Sequence, residues 1–206
     1  MFRTLEHGAV LVVHSLTKSV NGHGDALGGA VIGPREPILP IKTEAMINVG
    51  AANSPFNAWL ISRGSITLPV RLRQYLASAQ RVAEFLDNDP RVPHVAYQEL
   101  PSHPQHELAR RQFRGQGFGA LMAFALDAWH DTRNAFVGSL RLITSAVSLG
   151  HDETLIVHED THPDRAAMFP EVLRTHGLLR PAVGLEDPDA LVADLAAALD
   201  TSVPAA

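Results

Sequence analysis

The stretch VVHSLTKSVNGHGDALGGAVIG (Val12–Gly33) decides how this chain is read. Its start completes the valine-rich run AVLVVHS (Ala9–Ser15). That run is too short for a buried helix and reads as a strand covered on both faces, as in a parallel sheet. The strand ends in hydroxyls, a lysine and then glycines, which puts its polar groups at the carboxyl end, where open α/β sheets bind ligands. GGAVIG (Gly28–Gly33) reads as a second short strand. Lys18 and Lys42 are the only lysines, and every other basic residue is arginine. Desolvation at a strand end favours a neutral amine, the form that attacks a carbonyl to make a Schiff base. Ser15 and Thr17 flank Lys18 with short hydroxyls that suit phosphate oxygens without adding charge. The competing reading is a strand-end lysine whose ammonium reaches solvent.

Composition bounds what surrounds this stretch. The chain has 206 residues, 46% apolar and 19% charged, enough for one large domain or two small ones. A formal net charge of -5 argues against nucleic acid or an anionic membrane as the main partner. No apolar run is long enough to span a bilayer, and the first fifteen residues do not read as a signal peptide. With no cysteine, disulfides, thiolate metal sites and cysteine nucleophiles are excluded. The expectation is a cytoplasmic protein with no metal.

Further along, Pro34, Pro37 and Pro40 suggest a connector. Ser54 and Pro55 read as the N-cap and first residue of a helix. Leu72, Tyr75, Leu76, Ala79, Val82, Ala83 and Leu86 follow helix spacing over Leu68–Leu86, which Asp89-Pro90 closes. Then come expected strands at Val95–Leu100, Ala120–Leu126, Leu142–Val147, Leu155–His158 and Leu178–Leu185, with helices at Pro104–Phe113 and Thr132–Leu140. A last helix starts at Asp187-Pro188 and carries Leu191, Leu195 and Leu199 on one stripe beside Val192. The alternation means α/β or α+β, without internal repeats, and the tail after Asp200 is expected to fray.

The Val12–Gly33 segment, with His-Ser-x-Thr-Lys followed by Asn-Gly-His, resembles the signature of the Cys/Met-metabolism (transsulfuration) family of pyridoxal-phosphate enzymes. The likeness continues through Ser54–Leu72, Val82–Gln112, Ala146–His158 and Gly177–Leu195, in the family's order. It implies an α/β fold of fold-type I, aspartate aminotransferase-like. Residues 1–60 would end the large cofactor domain, and 61–206 would form a linking helix and a smaller carboxyl-terminal α/β domain. By resemblance, Lys18 bonds pyridoxal 5'-phosphate and moves protons on substrate carbons, and Ser15 and Thr17 hold the phosphate. Arg180 falls on the family's arginine for the substrate carboxylate, a planar fork that grips a carboxylate with two hydrogen bonds. On residues alone, a surface ion pair of Arg180 with Glu186 or Asp187 is the other reading. Ser148 falls near lysine and substrate. Val147 stands where cystathionine γ-synthases and γ-lyases commonly carry glutamate, which favours a substrate without a distal ammonium.

The implied activity is methionine γ-lyase-like: γ-elimination or γ-replacement on a methionine- or homoserine-like amino acid. The alternatives are a cystathionine γ-synthase or γ-lyase, or a truncated homologue acting only as an interaction domain. The implied partners are a small amino-acid substrate and further copies of the chain, as dimer or tetramer. Family enzymes are about twice this length, so the aspartate for the pyridine nitrogen and the aromatic that stacks on the ring are expected upstream. His158-Glu159-Asp160-Thr161-His162 spells H-E-x-x-H, the zinc-protease helix motif. Its β-prone lead-in and the proline after His162 fail the helical context that motif requires.

Overall fold

The computed structural model describes residues 2–126, 130–158, 168, 169, 171 and 177–203. The chain divides into two compact units, Met1–Pro69 and Val70–Ala206.

In the first unit, β1 (Val12–Ser15) pairs antiparallel with β2 (Gly29–Ile32), Ser15 opposite Gly29. This corrects the expectation of a parallel strand covered on both faces, since Val13 is 76% exposed. Among the described residues of this unit no apolar layer packs over it. Ala26 and Ile61 are the only buried apolar side chains among the unit's described residues. The proline-rich connector is also corrected, because Arg35–Ile47 forms a helix, α1. Pro34 stands at its N-cap and Pro37 in its first turn, where a missing N–H costs nothing. Only Pro40 lies inside the helix. Helix α2 (Pro55–Ile66) starts as read, with Ser54 Oγ accepting from Asn57 N at 3.1 Å and Pro55 at the first position.

In the second unit, α3 (Leu68–Asn88, whose first two residues belong to the first unit) buries Arg71, Tyr75, Ser78, Ala79, Val82, Ala83 and Leu86. Leu72 and Leu76, expected on that face, are only half-buried. Arg71 Nη1 donates to Tyr75 Oη at 3.4 Å, and burial is the main reason the Tyr75 phenol titrates above its usual range. The sheet has the order β3-β4-β7-β6-β5, from β3 (His94–Ala96), β4 (Ala123–Ala125), β5 (Thr144–Ser145), β6 (Leu155–His158) and β7 (Leu179–Ala182). All its pairings are antiparallel except β5 with β6. Several strands are shorter than read. Tyr97 to Leu100, for example, forms a turn, with Leu100 N donating to Tyr97 O.

The other helices among the unit's described residues are α4 (His106–Phe113), α5 (His130–Ser139) and α6 (Pro188–Ser202). Asp187 Oδ1 caps α6 by accepting from Asp189 N and Ala190 N. Leu191, Leu195 and Leu199 are fully buried, in one core with Leu86, Phe124, Ile156 and Leu179. Phe124 meets Phe136 edge-to-face at 6.0 Å. No described helix is long and apolar enough to cross a membrane.

Arg91 ties the end of α3 to α6, bonding Asp89 and Asp200 at 2.7 Å each. The Arg91 hydrogen bond is the main reason the Asp89 carboxyl is held below the usual carboxylate range. A depressed folded-state value means the stabilisation is complete above the unfolded carboxylate value, about 4. It is lost as pH falls through the lower folded value. Asp89→Asn should therefore lower the urea midpoint at pH 7, and the variant and wild-type midpoints should converge in acid. Equal midpoints at pH 7 would refute this.

Candidate active site

Lys18 sits where β1 runs into a single π turn, Leu16–Val20, and its backbone (φ -84°, ψ -139°) breaks the helical path. The turn is anchored at both ends. Leu16 N and Thr17 N donate to Gly28 O at 2.9 and 3.3 Å, and Asn21 N and Gly22 N donate to Leu16 O and Lys18 O at 3.0 and 2.8 Å. Ser15 is exposed at the strand end. Thr17 Oγ1 accepts from Gly28 N at 2.9 Å, and its own hydrogen reaches Gly28 O only at a long 3.3 Å. Such a contact is weak for a hydroxyl donor, so a phosphate oxygen would readily take that hydrogen. A primary amine flanked by one exposed and one weakly committed hydroxyl fits pyridoxal phosphate.

The second unit holds the other two candidates. Ser148 Oγ lies 2.9 Å from His151 Nε2 in the loop after β5, and Val147 beside it is 82% exposed. Arg180 is half-buried on β7, opposite Val157 of β6. Both acids that could have made it a surface ion pair have other work. Glu186 accepts from Thr154 N and Thr154 Oγ1 at 2.5 and 2.6 Å, and Asp187 caps α6. Thr154 Oγ1 in turn accepts from Gly184 N at 2.8 Å, and Leu185 N donates to Asp152 O at 2.7 Å. The segment following the Arg180 strand is thus clamped onto the loop following Ser148. Gly184 lies so close that a Cβ there would overlap Asp152 O and the Glu186 carboxylate.

Ser15, Thr17 and Lys18 therefore belong to the first unit, and Ser148 and Arg180 to the second. Sequence reasoning gave no role to Glu186 as a clamp, to Gly184, or to Asn21, which is 1% exposed behind Lys18. Asn21 lay inside the Asn-Gly-His wording, which was its only signal. Glu159 to His162 of the H-E-x-x-H match lie outside the described residues. No group of three potential metal ligands occurs among the described residues.

A family model described as Cys/Met metabolism PLP-dependent enzyme matches residues 1–200. A canavanine gamma-lyase of Pseudomonas canavaninivorans is 58% identical over 201 residues, covering 97% of this chain and 50% of the relative. An L-methionine gamma-lyase of Porphyromonas gingivalis is 42% identical over 209 residues, covering 98% and 51%. Among solved structures, cystathionine gamma synthase from Xanthomonas oryzae pv. oryzae, in complex with aminoacrylate and cysteine, superposes with a TM-score of 0.86. It is 40% identical and covers 98% of this chain and 52% of its own. The chain spans about half the length of the curated relatives it matches.

The clamp makes a stability prediction. Glu186→Ala leaves the 1% exposed Thr154 without its charged acceptor. It should cost about 2 kcal/mol in urea unfolding, the range for a hydrogen bond to a charged group. A change below about 0.5 kcal/mol would class Glu186 with ordinary surface positions.

Proposed function

Because this chain belongs to the Cys/Met metabolism PLP-dependent enzyme family and has its fold-type I α/β fold, we propose that it carries the lysine and carboxylate-binding half of a γ-lyase. The observation that supports this most is Lys18 on its anchored turn between Ser15 and Thr17, inside a family match over residues 1–200. Pyridoxal phosphate, when bound, supplies the electron sink that loosens bonds to the substrate Cα. In this reading the Lys18 amine holds the cofactor and moves the proton at Cα, while Ser15 and Thr17 donate to the phosphate. Arg180 fixes the substrate carboxylate through two parallel hydrogen bonds, which selects the Cα bond to be broken. Ser148 falls on a family position that contacts the substrate.

The 58% identity to a canavanine γ-lyase, against 42% to a methionine γ-lyase, puts L-canavanine ahead of methionine as the γ-substituted substrate. Val147 is compatible with that choice. The oxygen bonded to canavanine's guanidine withdraws electron density and weakens its basicity, so the distal group can arrive uncharged and needs no glutamate. Methionine and homoserine esters form the second reading. The whole enzyme is read as a cytoplasmic homo-oligomer.

Two measurements test this. Borohydride treatment after incubation with pyridoxal phosphate should fix cofactor mass on the Lys18 peptide, and Lys18→Ala should abolish it. Equal labelling of Lys42, or none at Lys18, would sink the assignment and leave the non-catalytic interaction domain. In the assembled enzyme, release of the γ-substituent should be faster from L-canavanine than from L-methionine. Arg180→Lys should raise KM about tenfold or more, because an ammonium cannot replace the fork.

A further inference from the structure

The first unit must hold Lys18 in place with almost no apolar core, and its polar contacts show how. Helix α2 presents Asn57, Ile61 and Gly64 at i, i+4 and i+7, one face of a helix. Each touches the segment that runs from Lys18 to β2. Asn57 Nδ2 donates to Leu27 O at 3.2 Å. The Ile61 side chain lies against Gly28, where a Cβ would overlap it. Gly64 meets the backbone and side-chain oxygens of Asn21, again too closely for a Cβ.

Asn21 is the hub of this contact. It is 1% exposed, in a unit whose buried apolar side chains are only Ala26 and Ile61 among the described residues. Its N–H closes the Lys18 turn onto Leu16 O at 3.0 Å. Its Nδ2 donates to Asp25 Oδ1 at 2.7 Å, and its carbonyl lies 2.6 Å from His23 Nδ1. A buried residue held through its backbone N–H, its backbone carbonyl and its side-chain amide has one orientation open to it, so the backbone three residues upstream is fixed with it.

We propose that Asn21 is the positioning residue of Lys18: docked on Gly64 and bonded to Asp25, it fixes the turn that carries the amine. The inference rests on the reading of Lys18 as the cofactor lysine. It predicts that loosening Asn21 frees Lys18 specifically, while the rest of the chain is unchanged.

The two lysines make the test direct. A lysine-specific endoprotease has only two targets, the bonds after Lys18 and Lys42, and Lys42 on exposed α1 is an internal reference. In Asn21→Ala and Gly64→Ala, cleavage after Lys18 should rise about fivefold or more relative to cleavage after Lys42, as expected for local opening. Ser62→Ala, on the exposed side of α2, should leave it unchanged. Asp25→Asn keeps an acceptor for Asn21 Nδ2 and should behave as wild type, whereas Asp25→Ala should follow Asn21→Ala. The ratio of borohydride-fixed cofactor at Lys18 to that at Lys42 should fall in the same variants and recover in Asp25→Asn. Wild-type cleavage in both Asn21→Ala and Gly64→Ala overturns the proposal. So does a parallel rise at both lysines, which would mean the whole unit loosens, or an Asp25→Asn that behaves like Asp25→Ala. If the wild-type chain takes up no cofactor, the reading of Lys18 fails, and proteolysis still decides whether Asn21 holds the turn.

Discussion

The proposed role of the Lys18 amine requires a backbone that cannot drift, and among the described residues of the first unit the Lys18 turn is held mainly by hydrogen bonds, with few buried apolar side chains. Its ends are tied to Gly28 O, Leu16 O and Lys18 O, and behind it stands the buried Asn21. Small residues make this possible. Gly28 and Gly64 let the Ile61 side chain and the Asn21 oxygens approach to distances that a Cβ at either position would forbid. The same two glycines bring α2 down on a single face, so the turn and the helix fix one another.

The second unit solves the same problem differently. There the leucine stripe of α6 and the aromatic pair Phe124–Phe136 provide a continuous core, and carboxylates finish the loops around it. Asp194 on α6 accepts from three successive backbone amides, those of Arg141, Leu142 and Ile143, at 2.9 to 3.0 Å. Glu186 does comparable work at Thr154. Ile143 and Thr154 are buried, so each acid meets a donor that would otherwise lack an acceptor, a larger penalty than the net value of an average hydrogen bond. These two loops lead into β5 and β6, and β6 pairs with β7, the strand that carries Arg180.

What was legible in the sequence follows from which signals are local. Ser54-Pro55 and Asp187-Pro188 are helix starts with their own capping chemistry, and both appear where they were read. The Leu191, Leu195 and Leu199 stripe needed only helix periodicity. The valine run before Lys18 was recognised as a strand, but its pairing and cover depend on neighbours that a local pattern does not specify. Proline carries the opposite lesson, since the stretch with Pro34, Pro37 and Pro40 reads as a connector although a first helical turn accepts Pro37. Lys18, Ser15 and Thr17 were visible because chemistry-bearing residues cluster there. The roles of Asn21, Gly64 and Glu186 were not, because the Asn21–Gly64 and Thr154–Glu186 contacts span tens of residues, and none of the three looks unusual alone.

The near absence of lysine now has a chemical sense. Arginine keeps its charge, pairs well with carboxylates, and does not condense with an aldehyde under conditions where a primary amine does. Arg91 bridges Asp89 and Asp200, and Arg81 reaches Asp189, structural tasks for which lysine is the usual alternative. A surface carrying its positive charge as guanidinium offers an aldehyde cofactor few competing side-chain amines. Within these 206 residues the two lysines differ in setting, Lys18 on an anchored turn and Lys42 on an exposed helix. Selectivity between them cannot come from intrinsic amine chemistry, which the two share. Under the proposed function it comes from position, and so from the residues that hold the turn.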